Sequence, residues 1–156
     1  MLDMELPADK KEIDMPSLNH SYICSRVLRQ LFADDSIEAL TELTLDIDKG
    51  LTPDICVYPK DSIDPNFSRD ITKLSQLPTI AIEVISANQN IQIILEKSER
   101  MVQAGISAVW AIEPYTRAIF VITQSGEEIL YNQTVESENI KVDFKKIFAG
   151  KNSHIN

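Results

Sequence analysis

Residues 79–114, TIAIEVISANQNIQIILEKSERMVQAGISAVWAIEP, change hydrophobic period twice. Thr79 to Ser86 is a short, almost unbroken apolar run rich in isoleucine, which reads as a buried strand. From Ile91 onward the apolar positions follow helical spacing. Ile91, Ile94, Leu95, Ser98, Met101, Val102 and Gly105 share one face. Asn88 or Asn90 supplies a cap at the start, and Gly105 a stop at the end. Ser107 to Glu113 is apolar again and reads as a second strand. Strand, helix and strand of these lengths form a crossover between parallel strands, expected to be right-handed. This predicts an α/β fold.

Upstream, Ile23, Val27, Leu28 and Leu31 recur at helical spacing, so a helix runs from Ser17 to near Ala33, with Ser17 or Asn19 as its cap. In residues 37–48 Leu43, Leu45 and Ile47 alternate with polar residues, which predicts a half-buried strand. Lys49-Gly50 is a turn, and Pro53 to Tyr58 is the returning strand of a hairpin. Residues 59–78 hold Pro59, Pro65 and Pro78 and predict a long loop, with a helical turn around Arg69 to Leu74. Downstream, Pro114 to Arg117 turns the chain, Arg117 to Thr123 pairs back, and Glu127 to Asn132 adds an edge strand. Asp143 to Phe148 forms a short last helix. A mixed sheet flanked by helices follows.

The length of 156 residues suits one domain, residues 1–156, with 1–15 expected as an arm and 149–156 as a tail. No apolar run approaches the ~20 residues that span a bilayer. The first residues, MLDMELPADKKEID, lack an apolar signal core, so a cytoplasmic location is expected. The formal net charge of −9 opposes a general nucleic-acid binder, which displaces counterions with a basic surface. Lys145, Lys146 and Lys151 read as solvated surface. Cys24 and Cys56 lie among apolar neighbours and read as buried free thiols. The chain shows too few ligands at suitable spacing for a zinc site.

Glu83 is the anomaly. An ionised carboxylate inside an apolar strand is costly unless it is paired, hydrogen-bonded or metal-bound. Asp54 opens the strand after Pro53, and the two carboxylates converge if their strands are neighbours. Oxygen donors at a sheet end suit a hard cation such as Mg²⁺, which keeps waters and takes a phosphate ligand. Such a cation activates water and stabilises charge on phosphorus. Lys97 sits at the margin of the helix's apolar stripe, where its stem can carry the amine toward the sheet end.

Pro53-Asp54, Glu83-Val84-Ile85-Ser86, Lys97, Ala104-Gly105-Ile106 and Val109-Trp110-Ala111-Ile112-Glu113-Pro114 resemble the Uma-type restriction-endonuclease family, common in cyanobacteria, within the PD-(D/E)XK nuclease superfamily. The resemblance is strong from Leu51 to Val121 and extends back to His20. It implies a restriction-endonuclease-like α/β fold and Mg²⁺- or Mn²⁺-dependent hydrolysis of DNA by a homodimer. By position, Asp54 and Glu83 would be metal ligands, the Val84 carbonyl a third, and Lys97 the catalytic lysine. In the standard motif lysine lies two residues after the second acid, where this chain has Ile85. His20 matches the family's histidine in the first helix and would join the site. Glu42, on the polar side of its strand, would reach the metal, while Asp46 and Asp48 read as a solvated face and Trp110 as core.

The chain departs from the family at Ala87, Ile93 and Met101, where proline, aspartate and an aromatic are usual. Two alternatives therefore stand beside the nuclease. One is a catalytically inactive relative that dimerises or binds. The other is a phosphoester hydrolase acting on a small nucleotide.

Overall fold

The computed structural model describes residues 16–150. The expected arm at 1–15, and Lys151 with the end of the expected tail, lie outside the described residues. Helix α1 spans Leu18–Phe32 and buries Ile23, Val27 and Leu31, and the Ser17 side chain accepts the His20 N–H at its start. Strands β1 (Ile37–Thr41), β2 (Ile55–Pro59) and β3 (Ile80–Val84) follow. Helix α2 spans Ile91–Ala104, capped by Asn90 and ended by Gly105 at φ 127°. A side chain at Gly105 would sit in a strained backbone and meet Leu77 Cδ1 at 3.3 Å, so glycine is required there. Then come β4 (Ala108–Glu113), β5 (Ala118–Thr123), β6 (Gly126–Tyr131), β7 (Thr134–Ser137) and β8 (Ile140–Asp143). Helix α3, Phe144–Ala149, closes the described chain with Asp143 as its cap.

Six strands form one mixed sheet in the order β1-β2-β3-β4-β5-β6. Strands β3 and β4 are parallel, with Ile82 opposite Trp110, and the other neighbours are antiparallel. The crossover read from residues 79–114 is therefore present. Each sheet face carries its own core. Ile55, Val57, Ile80, Ile82 and Trp110 pack with α1 on one side. Cys56, Tyr58, Ala81, Val109 and Ala111 pack with α2 on the other. Burial on both faces explains why β3 reads as an unbroken apolar run.

Three expectations are corrected. The strand expected over 37–48 ends at Thr41, because Glu42 takes φ 52° and turns the chain out of the ladder. Leu45 and Ile47 are still buried, at 0% and 4% exposure, but in a loop laid over the α2-side core. Isolated bridges tie Leu45 to Leu51 and to Leu74. Alternating burial there reflects a loop seated on a core, not a ladder. The helical turn expected at Arg69 to Leu74 is absent. Leu74 N–H instead donates to the Thr44 carbonyl at 3.0 Å, and its own carbonyl accepts from Asp46 N–H at 2.9 Å. The β7–β8 hairpin, which was not expected, turns through Glu138 and Asn139 at φ 54° and 67°. Its Val135, Ile140 and Val142 complete the α1-side core, and Ser137 Oγ accepts from Trp110 Nε1 at 2.8 Å.

Candidate active site at the end of β2 and β3

The β2–β3 ladder pairs Val57 with Ile80, Cys56 with Ala81 and Ile55 with Ile82. One step beyond the end of this ladder stand Asp54, just before β2, and Glu83, within β3. At this step the backbones part, and the Asp54 side chain fills the gap: Val84 N–H donates to Asp54 Oδ2 at 2.8 Å. The Asp54 carbonyl meanwhile accepts from Glu42 N–H at 3.1 Å, on the β1 side.

Helix α2 lies over the Glu83 face and brings Lys97 to it. Lys97 Nζ is 2.5 Å from Glu83 Oε2 and donates to the Thr52 carbonyl at 3.0 Å. The Lys97–Glu83 contact is a close salt bridge between a half-buried amine and a buried carboxylate. Lys97 is the only polar partner of the buried Glu83 Oε2 among the described residues. Burial pushes the Glu83 carboxyl up to about 7; Lys97 pulls it down, and the Asp54 charge pushes it further up. Ile85 is on the same strand face as Glu83 and is buried in the α2-side core. A lysine two residues after the acid would occupy that space, and here a helix lysine arrives from above instead.

Helix α1 approaches from the opposite face. His20 Nε2 is 3.1 Å from Asp54 Oδ2, and His20 Nδ1 is 3.9 Å from Cys24 Sγ. The hydrogen bond to Asp54, with the Cys24 contact second, pushes the His20 imidazole up to about 10, against the opposing effect of burial. It is therefore an imidazolium at neutral pH. Glu42 lines a cavity of about 280 Å³ together with His20, Thr52, Asp54, Ser86 and Gln89. The structure thus brings Asp54, Glu83, Val84, Lys97 and His20 together, with Glu42 at the rim.

The residues fit a divalent cation. Two carboxylates at one strand end include a buried oxygen whose only polar partner among the described residues is Lys97, and the donors are hard oxygens. Lys97 and His20 neutralise the two acids in the metal-free arrangement. Cys24 corrects one expectation: it is half-buried rather than buried, and it lines an open cavity beside His20. Its signal was the spacing of four residues from His20 on one helix. Cys56 is a buried free thiol, pushed up to about 12 by burial.

A six-stranded mixed sheet flanked by helices, with acids at the end of its central strands, is the restriction-endonuclease-like architecture. The chain belongs to the Uma2 family, described as "Putative restriction endonuclease", which matches residues 3–148. The fold is shared with a crystal structure from Anabaena variabilis, described as a "putative nuclease belonging to DUF820". The two superpose with a TM-score of 0.73 at 21% identity, covering 86% of this chain and 83% of that one. No curated protein matches the chain in sequence. No helix among the described residues is long and apolar enough to cross a membrane.

Proposed function

We propose that the chain is a single-domain, metal-dependent endonuclease that hydrolyses DNA phosphodiester bonds with Mg²⁺ or Mn²⁺. The observation that carries this reading is Glu83. It is a buried carboxylate on the strand whose Val84 N–H holds the Asp54 carboxylate, and its Oε2 meets the Lys97 amine with no other polar partner among the described residues. Asp54, Glu83 and the Val84 carbonyl hold the cation. When bound, the cation supplies a water of lowered pKa and neutralises charge on the phosphate. Lys97 then exchanges its contact with Glu83 for the attacking water or a phosphate oxygen and stabilises the charge that develops. His20 fixes the Asp54 carboxylate through their 3.1 Å contact. A homodimer and a cytoplasmic location belong to the same reading. The dimer is supported by the family resemblance.

The test is incubation of the purified chain with Mn²⁺ or Mg²⁺ on supercoiled, linear and single-stranded DNA. Cleavage by the wild type that Glu83→Ala abolishes is the expected result. Intact DNA throughout, with calorimetry still showing Mn²⁺ bound by the wild type, would sink the catalytic reading. It would leave the binding or dimerising relative, which the net charge of −9 favours.

A further inference from the structure

We propose that His20, Cys24 and Asp54 form a second metal site, selective for Zn²⁺, on the α1 side of the Asp54 carboxylate. Thiolate, imidazole and carboxylate are together a zinc donor set, whereas Mg²⁺ and Mn²⁺ prefer oxygen alone. One ligand atom from each residue lies within 4.8 Å of the other two. The tertiary fold is what assembles them. His20 and Cys24 stand one turn apart on α1, and Asp54 arrives from the start of β2. The imidazole already bridges the other two, with Nε2 toward Asp54 and Nδ1 toward Cys24.

A tetrahedral Zn²⁺ with bonds of ~2.0–2.3 Å separates its ligand atoms by ~3.3–3.8 Å. Asp54 and Cys24 meet different ring nitrogens, so closing on one ion takes a turn of the imidazole, with one ring nitrogen and the Cys24 thiol each releasing a proton to solvent. All three residues, with Glu42, line an open cavity of about 560 Å³, which gives the ion a route and leaves a fourth position for water. Cys56, fully buried among apolar neighbours, has no such access. Asp54 is common to both sites, so Zn²⁺ held here withdraws a carboxylate from the hard cation at Glu83. This inference goes beyond the nuclease reading and does not depend on catalysis.

The experiment titrates Co²⁺, as a spectroscopic substitute for Zn²⁺, into the untagged full-length chain. A thiolate-to-cobalt charge-transfer band that saturates and is bleached by Zn²⁺ is the expected result. It is retained in Glu83→Gln, lost in Cys24→Ser and shifted to much higher cobalt concentration in His20→Gln. Cys24→Ala serves if Cys24→Ser fails to fold. A folded wild type with no thiolate band overturns the proposal, as does a band that survives loss of Cys24. Because the Glu83→Gln arm keeps this site, a failure of the nuclease reading leaves the cobalt result unaffected.

Discussion

On the α2 side of the strand end, the Glu83 side chain is 5% exposed and faces a single lysine; on the α1 side, Asp54 is 20% exposed and faces a histidine and a backbone N–H. Burial dominates the first and pairing the second. Glu83 is held close to neutrality by desolvation, while His20 holds a proton because Asp54 is its partner. Two acids at one strand end thus meet different surroundings, because the sheet has a helix over each face.

The most severe way to break this comparison is Glu83→Gln, which keeps shape and burial but removes the buried charge. In the proposed nuclease, metal-supported cleavage falls by ~10³-fold or more, as when a group acting in the transition state is removed. Cleavage assays with calorimetry check that Mn²⁺ affinity falls with it. Next is Lys97→Met, which spares the apolar stem and removes the amine. The expected loss is ~10²-fold in kcat, the scale of one lost electrostatic donor, with a smaller change in KM. If kcat holds while stability drops, Lys97 is a structural partner of Glu83 and nothing more.

The α2 side was also the more legible in sequence, for a physical reason. An acid inside TIAIEVIS is conspicuous because burial and charge conflict, and the crossover helix carries a clean period with a cap and a glycine stop. Asp54 after Pro53 looks like any turn aspartate. Its place beside Glu83 comes from the pairing of β2 with β3 and the Val84 N–H bond, which depend on neighbours remote in the chain. Lys97 rested on resemblance, since its place at the stripe margin suits a solvated lysine equally well. The loop at 42–54 misled because Leu45 and Ile47 bury alternately without a ladder. The β7–β8 hairpin escaped because Glu138-Asn139 adopts a left-handed turn without the usual glycine.

The pH response sharpens the contrast. The Glu83 carboxyl has a folded value of about 7, above its ordinary 4.5, so the folded state holds the proton more tightly. The resulting stability is fully present below 4.5 and is lost as pH rises to 7. Within that window the metal-free protein loses up to about 1.4 kcal/mol per pH unit relative to Glu83→Gln, and the difference is flat above it. Urea midpoints of the two chains across the window check this. Divalent metal should oppose the loss, because it binds the ionised form.

The smallest effect is expected at His20→Gln. The imidazole is raised from 6.5 to about 10 by Asp54, so its contribution is fully present below pH 6.5 and disappears as pH approaches 10. At pH 7 the variant should be less stable by about 1 kcal/mol, the scale of a partly exposed ion pair. By pH 10 the two melting temperatures should coincide. The Ser17 cap on His20 N–H is unchanged in the variant, so the difference isolates the side chain. A gap that persists unchanged at pH 10 would mean that the ring acts through packing. Asp54 would then be positioned by Val84 N–H alone, and the α1 side would lose its charge-paired character.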